Sequence, residues 1–421
     1  MSTGSMLEKT RLDVIVIGGG AAGMLASLFA ARAGARVTLL ERNEKLGKKL
    51  YITGKGRCNL TNACEKEEFQ RQVLRNPRFL YASLAVLDNF GMMDLMENLG
   101  VPLKVERGQR VFPVSDHASD VGRALEKALR TAGVDIRLNT RAASLLEKDG
   151  RCRGVRLFNG AELPADGVIV CTGGVSYPAT GSTGDGHRMA RDAGLAVTPL
   201  LPGLTSLHTG EAWPGELAGL SLKNVALRAY AGKKRIYAQQ GEMLFTHTGI
   251  SGPLVLTLSS LLPQELSQVR LSIDLKPALD DGALDARLLR EVGQNPRRSV
   301  SSIMDTLCPH SLGQTILALG EIPPGLPACE ITHAQRARIR GLLKDLSLTV
   351  RSLGSFEEAI ITRGGVSVKE INPSTLESRK LPGAYFAGEV LDVDAVTGGF
   401  NLQIAFSTGA LAGKSAAQAE A

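Results

Sequence analysis

The sequence predicts an α/β protein in which one parallel-sheet domain is interrupted by a long insertion. A strand, a glycine turn, a helix and a second strand follow one another over residues 13–40. Strand-like, Gly-rich character returns after Thr349 and ends in a helix over Phe400–Ala412, whereas the pattern between changes at about Leu195. Because a βαβ unit opens a parallel sheet, we expect the two ends of the chain to form one domain around the insertion.

Gly18, Gly20 and Gly23 form a G-x-G-x-x-G turn between the apolar run over 13–17 and a small-residue helix over 21–33. Gly18 permits the tight turn, Gly20 lets a diphosphate approach the backbone, and Gly23 lets the helix pack close to the strand. The helix N-terminus offers free N–H groups and a partial positive charge. The spacing therefore predicts a dinucleotide whose diphosphate meets the first helical turn, at Ala21 and Ala22.

An acid closes the second strand, which is expected over residues 36–40. Glu41 lies 18 residues after Gly23 and is followed by Arg42. A carboxylate there accepts hydrogen bonds from the adenosine ribose and repels a 2′-phosphate, so NADP is disfavoured at this position. The glycine fingerprint alone does not separate FAD from NAD.

Periodicity and turn residues outline the rest of the chain. Residues 43–62 favour a loop with five basic side chains, and helices are expected over 67–100 and 120–133. Further strands are expected over 134–138, 167–171, 226–230, 243–245, 269–275 and 385–390, and a polar helical segment is expected over 281–346.

Composition narrows the class of protein. Hydrophobic residues make up 43% and charged residues 22%, as in ordinary globular proteins. The net charge of +7 suits an anionic ligand, but no long basic block is present, and nucleic acid is not expected as a partner. The six cysteines are scattered without a CxxC pair, which favours a reduced, cytoplasmic protein, and no metal site is predicted. The sequence lacks an apolar run long enough to span a membrane.

Longer strings are more specific than the glycine turn. They read GKK at 47–49, TGKGRCNLTN at 53–62, TGGVSYP at 172–178, LFTHTGISGP at 244–253, TRGGV at 362–366, and AGE through NLQ at 387–403. In these strings the sequence resembles the BaiN/RdsA-like NAD(P)/FAD-dependent oxidoreductases, also described as aminoacetone oxidase-like FAD-binding proteins. The likeness covers nearly the whole chain in the same order.

The resemblance implies a fold and a cofactor. The implied fold is a split Rossmann-like FAD-binding domain with an inserted β-barrel-like domain and a small helical domain. The expected boundaries are 1–194 with 355–421 for the FAD-binding domain, 195–278 with 346–354 for the β-rich domain, and 279–345 for the helical domain. FAD is the implied cofactor, and some family members are linked to the reduction of steroid-like enones in bile acid metabolism.

Candidate cofactor contacts come from the glycine turn, the basic loop and the late strings. Cations of the basic loop would favour reduced, anionic flavin. Asp392 is favoured for the ribitol by comparison with related two-dinucleotide-domain flavoproteins, and the helix start at Gly399 for the flavin N1–C2=O edge, although these acids also suit helix capping. The candidate set is Gly18, Gly20, Ala21, Ala22, Gly23, Glu41, Arg42, Lys48, Lys49, Thr53, Gly54, Gly56, Arg57, Cys58, Asn59, Thr172, Gly173, Gly174, Gly388, Glu389, Asp392, Gly399, Phe400, Asn401, Leu402 and Gln403.

His247, Cys58 and Tyr177 are the candidates for catalysis. His247 stands in a Thr- and Gly-rich turn and titrates in a range that suits proton transfer, with a structural hydrogen-bonded histidine as the alternative. Cys58 and Cys64 could relay electrons as a disulfide, although unpaired small cysteines are the simpler interpretation. Tyr177 could line the flavin ring or donate a proton, or it could serve packing alone.

The sequence shows no second strand–GxGxxG–helix unit. Any NAD(P)H is therefore expected to act as a transient reductant against the flavin. The predicted function is hydride transfer through flavin N5 to or from a small organic substrate, such as an enone. A tRNA-modifying flavoprotein, a redox sensor without a substrate, and an amine oxidase that uses O₂ are the alternatives, and the oligomeric state is not predicted.

Overall fold

The computed structural model describes residues 11–418, and the chain divides into two compact units. The first unit is the chain up to Gly203 together with the part from Phe356 onward, and the second unit is Leu204–Ser355. The predicted FAD-binding domain also includes residues 1–10 and 419–421, which lie outside the described residues. The predicted boundary at residue 195 falls inside the first unit.

The strands of both units are numbered in chain order. They are β1 Asp13–Ile17, β2 Arg36–Leu40, β3 Thr61–Asn62, β4 Leu103–Glu106, β5 Arg110–Pro113, β6 Asp135–Arg137, β7 Ala142–Lys148, β8 Arg151–Leu157, β9 Glu162–Pro164, β10 Gly167–Val170, β11 Leu201–Gly203, β12 Leu207–Thr209, β13 Ser221–Ala231, β14 Lys234–Thr246, β15 Gly249–Ser251, β16 Val269–Asp274, β17 Leu346–Leu353, β18 Ile361–Arg363 and β19 Ala384–Phe386.

The helices are numbered in the same way. They are α1 Ala21–Arg32, α2 Lys66–Gln72, α3 Tyr81–Val86, α4 Asn89–Asn98, α5 Ala118–Thr131, α6 Asp185–Asp192, α7 Trp213–Glu216, α8 Pro253–Leu261, α9 Asp281–Gln294, α10 Val300–Met304, α11 His310–Leu319, α12 His333–Lys344 and α13 Phe400–Ala416. Short 3₁₀ segments lie at Leu50–Gly56, Pro77–Leu80, Pro178–Thr180, Ala328–Glu330 and Val368–Glu370.

A five-stranded parallel sheet with the order β19-β10-β1-β2-β6 forms the centre of the first unit. The predicted bounds of β1 and β2 are confirmed. Strands β1 and β10 are buried on both faces, as expected of a parallel sheet covered by helices. Because all these strands end at the same edge, the glycine turn, Glu41, Thr172 and Glu389 gather there, which is where open α/β sheets bind ligands.

Helices α1 and α13 are in backbone contact at glycine positions. A Cβ atom on Gly409 would lie 2.2 Å from the carbonyl oxygen of Ala22, and one on Gly413 would lie 2.1 Å from that of Ala26. Since both residue numbers increase together, the helices run parallel. Helix α13 therefore begins roughly 12 Å before the level at which α1 begins, at 1.5 Å per residue.

Two elements differ from the sequence-based expectation. The predicted strand over 385–390 ends at Phe386, because Gly388 turns the chain with φ +82 and a Cβ there would lie 2.7 Å from that of Ala22. The predicted helix over 67–100 is three helices, α2 to α4. Pro77 interrupts it because proline lacks an N–H donor, and Asp88 starts α4 by accepting a hydrogen bond from the N–H of Gly91 at 2.7 Å.

The second unit contains a closed barrel with the order β12-β15-β14-β13-β16-β17. Every neighbouring pair of the barrel is antiparallel. Alternate residues of the strands, such as Leu227 and Ala229 on β13 and Leu271 and Ile273 on β16, are buried. Helices α9 to α12 lie between β16 and β17 in the chain and share the apolar core of the barrel. Over residues 11–418, no helix has both the length and the apolar character needed to cross a membrane.

Candidate functional site

The glycine turn after β1 is sterically closed at two positions and open at a third. Gly18 has φ +101, and a Cβ there would lie 2.5 Å from the carbonyl oxygen of Cys171. A Cβ on Gly23 would lie 1.8 Å from the carbonyl oxygen of Gly18, so only glycine lets α1 approach β1. A Cβ on Gly20 would meet no atom within 4 Å. Gly20 therefore faces open space into which a diphosphate can fit.

Helices α1 and α13 both begin without a side-chain cap and without an acid in the first turn. Their free N–H groups and partial positive charges suit a diphosphate and the N1–C2=O edge of a flavin. The Thr172 hydroxyl and Oδ1 of Asp392 are buried and lack a hydrogen-bond partner among residues 11–418. These features fit an FAD molecule extended between the two helix starts.

Glu41 is buried at the end of β2, and protein groups hold both of its oxygens. Oε2 accepts a hydrogen bond from the N–H of Gly19 at 2.7 Å, and Oε1 accepts from N and Nδ2 of Asn43, both at 2.8 Å. A carboxylate oxygen can accept two hydrogen bonds, so Oε2 keeps one acceptor position for a ribose hydroxyl. The bond to Gly19 ties the predicted ribose acid to the glycine turn.

Arg42 and Lys48, both predicted beside the cofactor, have protein partners. Nη1 of Arg42 donates to Oγ1 of Thr183 at 2.6 Å and lies 3.4 Å from Oδ2 of Asp185. Nζ of Lys48 donates to Oε2 of Glu44 at 3.1 Å. Because an ion pair with an exposed member, such as Lys48 with Glu44, stabilises a fold by only about 0–1 kcal/mol, a phosphate could replace Glu44 with little loss.

Lys49 and Glu389 form an ion pair between the loop after β2 and the loop after β19. Nζ of Lys49 lies 2.7 Å from Oε2 of Glu389 and donates to Oγ of Ser176 at 2.6 Å. Oε1 of Glu389 accepts from Oγ of Ser176 at 2.9 Å and from the N–H of Thr362 at 2.8 Å. Burial alone would raise the pKa of Glu389, but the charge of Lys49 and these hydrogen bonds hold it below its ordinary value. The structure therefore contains an ionised carboxylate whose counter-charge is Lys49.

The loop over 53–59 takes its shape from left-handed backbone at Gly54, Gly56 and Cys58, with φ of +57, +87 and +60. Oγ1 of Thr53 donates to the carbonyl oxygen of Leu50 at 2.7 Å. Cys58 is fully buried, and burial raises the pKa of its thiol to about 12. The thiol is therefore protonated at neutral pH, which makes it a poor nucleophile.

Arg57 extends from this loop to two acids and an aromatic ring. Its guanidinium pairs with Glu106 and, at 2.7 Å, with Asp116, and it lies 4.1 Å from the centre of the Phe112 ring. A cofactor contact through Arg57 would compete with these three partners. In the described structure Arg57 anchors the loop to the segment that follows β5.

The segment after β10 adjoins the pair of Lys49 and Glu389. A Cβ on Gly174 would lie 2.1 Å from Oγ1 of Thr362, and Gly173 has φ +73. Tyr177 has φ +50, and Nζ of Lys49 lies 6.0 Å from its ring centre. A left-handed backbone at a non-glycine residue costs about 1–3 kcal/mol and is concentrated at functional sites, which favours Tyr177 as a candidate.

Polar side chains at the start of α13 bond to protein groups. Oδ1 of Asn401 accepts from the N–H of Ala395 at 2.9 Å. Oε1 of Gln403 accepts from Oγ1 of Thr61 at 2.7 Å, and Nε2 donates to the carbonyl oxygen of Leu87 at 3.2 Å. The two amides therefore hold the first turn of α13 in place, whatever else they bind.

The residues next to the first turn of α13 pack against the loop over 53–62. The amide of Asn59 fits between the carbonyl oxygen of Thr61 at 3.2 Å and the N–H of Gly399 at 3.1 Å. A Cβ on Gly399 would lie 2.3 Å from the same carbonyl oxygen, so glycine is required there. Phe400 is buried, and Leu402 is half-buried. The TGKGRCN loop and the helix start thus meet directly, as two segments of one site would.

Asp392 and Asp394 form a largely buried charge cluster with Arg75 and Arg363. Asp394 is 2% exposed, with Nε of Arg75 at 2.9 Å from its Oδ1. Burial raises the pKa of Asp394 to about 6 and also raises that of Asp392, against the opposing effect of the two arginines. Burial lowers the pKa of Arg363 to about 10. Asp392, the predicted ribitol acid, is thus part of a cluster in which burial raises the pKa of both acids.

Asp394 should make the stability of the fold depend on pH. Its pKa is above the ordinary value of 3.8, so the folded chain keeps a proton that the unfolded chain loses, and stability falls as pH rises from about 4 to 6. The loss is about 3 kcal/mol. The Asp394→Asn variant does not lose this stability. The difference between its free energy of unfolding in urea and that of the wild type should therefore shift by about 3 kcal/mol in favour of the variant as pH rises from about 4 to 6. A constant difference would contradict the assignment. Asp149→Asn, which changes an exposed acid without an ion-pair partner among the described residues, is the control.

His247 lies in the second unit, in the two-residue turn between β14 and β15. It is exposed, and its side chain has no hydrogen-bond partner among the described residues. Among the described residues, nothing supports the alternative that His247 is a structural histidine held by a hydrogen bond. His247 stays a candidate for proton transfer.

The structure also brings to this site three kinds of residue that were not among the candidates predicted from the sequence. Ser176 and Thr362 connect Lys49 with Glu389, yet they lie far apart in the chain. Arg75 and Arg363 surround the acids after β19. Gly409 and Gly413 let α13 approach α1, and their four-residue spacing opposite a small-residue helix was a usable signal.

Comparison with known proteins identifies relatives over the full length. The model of the family described as HI0933-like protein Rossmann domain matches residues 12–415. The 3-dehydro-bile acid delta(4,6)-reductase of Clostridium scindens is 33% identical over 417 residues, covering 96% of this chain and 98% of the relative. The ribosomal RNA dihydrouridine synthase of Escherichia coli is 31% identical over 400 residues, covering 94% of this chain and 96% of the relative.

A solved structure shares the fold. The 3-ketosteroid-delta4-(5alpha)-dehydrogenase from Rhodococcus jostii RHA1, in complex with 4-androstene-3,17-dione, aligns with a TM-score of 0.50 at 17% identity. The alignment covers 99% of each chain. At this identity the likeness extends to the architecture alone.

Proposed function

The chain belongs to the HI0933-like Rossmann-domain family of FAD-dependent oxidoreductases, and from that premise we propose that it reduces a carbon–carbon double bond conjugated to a carbonyl group. The observation that carries the proposal is the chemistry shared by two full-length relatives. The name of one specifies double bonds in a 3-oxo bile acid, and the name of the other specifies the product of reducing the C5=C6 bond of uridine. Both bonds are polarised by a carbonyl group, so each accepts a hydride at the β-carbon and a proton at the α-carbon.

Residues of the first unit would bind the cofactor that this reaction needs. Bound FAD, once reduced, supplies hydride from N5. The start of α1 would hold the diphosphate, Glu41 the adenosine ribose and Asp392 the ribitol. The start of α13 would face the N1–C2=O edge, where its partial positive charge stabilises the negative charge of the reduced form.

The proton for the α-carbon requires a separate donor. Tyr177, on a strained backbone next to Lys49, and His247, exposed in its turn, are the candidates. Cys58 is less suited, because its buried thiol does not exchange readily with solvent. NAD(P)H is proposed as the reductant, binding transiently because the sequence provides one dinucleotide turn.

A second form of the proposal has uridine in RNA as the substrate. Relatives named ribosomal RNA dihydrouridine synthase in Escherichia coli and Haemophilus influenzae are 31% and 29% identical to this chain. The net charge of +7 suits a polyanionic substrate. The small-enone form is supported by the 33% identity with the bile acid reductase.

An anaerobic two-step titration tests both forms. The purified yellow protein is mixed with NADH or NADPH, and bleaching of the visible flavin band identifies the reductant. A steroid 4-en-3-one or unmodified ribosomal RNA is then added without oxygen. Return of the flavin band, with two hydrogen atoms added to the product by mass spectrometry, is expected for one of them. Return only on admission of O₂, with peroxide formed, would overturn the proposal and favour an oxidase.

A further inference from the structure

The tip of the hairpin formed by β13 and β14 collects positive charge. Ala231 pairs with Lys234 across a two-residue turn, Gly232-Lys233, and Arg235 follows. The side chains of Lys233, Lys234 and Arg235 are exposed, and none has an acidic partner among the described residues. Three adjacent cations thus extend from the barrel, although the sequence has no long basic block.

An aromatic ring of β13 and a fourth cation, from the neighbouring strand β16, lie on the same face. Tyr230 lies opposite Arg235 on β14 and opposite Arg270 on β16, so the three side chains share the outer face of the barrel. The guanidinium of Arg270 lies 5.0 Å from the centre of the Tyr230 ring. Stacked guanidinium and aromatic planes are surfaces on which unpaired bases stack.

Acidic residues around the tip are few. Asp345 lies 3.2 Å from Arg270 and partly neutralises it. Glu265 stands in the loop before β16, whose Gln268 carbonyl oxygen accepts a hydrogen bond from the N–H of Gly232 at 3.0 Å. Glu265 bonds to its own loop, at the N–H of Ser267. The three tip cations therefore outnumber the acids near them.

We propose that this basic tip, defined as Lys233, Lys234 and Arg235 with Tyr230 and Arg270 behind it, is a binding surface for single-stranded or looped RNA. The proposal deepens the uridine form of the proposed function and rests on it for the identity of the polyanion. An anionic membrane is disfavoured, because the turn residues Ala231 and Gly232 offer no large apolar side chain for insertion. The cations bind phosphates, and the paired planes of Tyr230 and Arg270 stack on a base.

The test removes the charge at the tip and measures RNA binding. Lys233→Gln, Lys234→Gln and Arg235→Gln are combined, and binding of deproteinised ribosomal RNA and of a labelled single-stranded oligonucleotide is measured over a salt series. The affinity is expected to fall about a hundredfold at 0.1 M salt, and the slope of log K against log salt to decrease by about 2. Thermal unfolding checks that the barrel is intact.

A matched triple variant separates a local surface from overall charge. Lys66, Lys127 and Lys148 are exposed in the first unit and have no ion-pair partner among the described residues, so their change to glutamine removes the same charge elsewhere. RNA binding close to that of the wild type in this control, and weak binding in the tip variant, supports the proposal. Equal losses in both variants, or wild-type binding by the tip variant, overturns it. Loss of binding to vesicles of anionic lipid, with RNA binding intact, also overturns it.

Failure of this surface and failure of the proposed function have different signatures. If the tip variant binds RNA normally while the wild type reduces uridine, the surface is wrong and the function stands. If the tip variant loses RNA binding while the wild type reduces only the steroid enone, the surface stands and the uridine form fails. Reduction of the small enone by the tip variant should equal that of the wild type.

Discussion

Replacing Gly20 by alanine should weaken FAD binding at least about a hundredfold while costing the apoprotein no more than about 1 kcal/mol in the free energy of unfolding, because Gly20 is the N-cap of α1, where alanine is less favourable than glycine. Gly20 has φ −79 and ψ −169, which alanine adopts without strain, and its Cβ would meet no protein atom within 4 Å. The apoprotein should therefore tolerate the methyl group. A diphosphate seated on the start of α1 would not, because the methyl group would occupy the space it needs. A loss of about 2.8 kcal/mol corresponds to the hundredfold change.

Gly23→Ala, in contrast, should destabilise the apoprotein itself. Its Cβ would lie 1.8 Å from the carbonyl oxygen of Gly18, so either α1 or β1 must move. We expect a loss of about 3 kcal/mol in the free energy of unfolding, together with loss of FAD. Isothermal titration with FAD and urea unfolding of the apoproteins measure the two effects separately.

A third glycine is the control for this pair. Gly293 lies in the last turn of α9 in the second unit, and a Cβ there would also meet no atom within 4 Å. Gly293→Ala should bind FAD as the wild type does and gain less than about 1 kcal/mol in stability, because alanine favours a helix over glycine but the end of a helix benefits less than its interior. If Gly20→Ala also binds FAD normally, the diphosphate is not at the start of α1.

The features that the sequence predicted well are those determined by neighbouring residues. The bounds of β1 and β2 follow from short apolar runs that end in the glycine turn and in Glu41. The required glycine at 23 follows from the motif, because its Cβ would clash with Gly18 of the same turn. The clash at Gly18 is with Cys171 after β10, so the motif predicts that glycine without revealing the residue it contacts.

Local sequence does not predict contacts between segments that are distant in the chain. Arg57 was expected beside the cofactor, but Glu106 and Asp116 reach it from the β4–β5 region, which the sequence analysis had not paired with the loop. Lys49 meets Glu389 across most of the chain. The cations of the basic tip join Arg270 only because β13 pairs with β16. Charge patterns along a chain do not reveal which segments the sheet brings together.

Breaking the pair of Lys49 and Glu389 should be among the most destabilising single changes in the first unit. Lys49→Met would leave the Glu389 carboxylate, 22% exposed, without its counter-charge. Removing one partner of a fully buried pair typically costs about 3–5 kcal/mol, so we expect roughly 2–3 kcal/mol for this partly buried pair. Glu389→Gln should cost a similar amount, because one orientation of its amide sets the NH2 donor against Nζ of Lys49 and the other sets it against the N–H of Thr362.

The pH dependence of this effect has a definite sign. The pKa of Glu389 is lowered in the folded chain, so the stability that it contributes is present above the unfolded pKa, about 4.3, and is lost as pH falls below that value. Urea unfolding at pH 7 should therefore separate the wild type from Glu389→Gln more widely than unfolding at pH 4. An equal gap at both pH values would show that the carboxylate is not ionised in the folded state.

The double variant shows whether Lys49 has a second partner. With Lys49→Met and Glu389→Gln combined, no uncompensated charge remains, so the loss of stability should be clearly smaller than the sum of the two single losses. If Lys49 serves only Glu389, the double variant binds FAD as the wild type does. If Lys49 also contacts the cofactor, as the GKK string suggests, the double variant regains its fold but not its FAD affinity. Lys45→Met, which removes an exposed cation of the same loop that is not among the candidate cofactor contacts, is the control for charge alone.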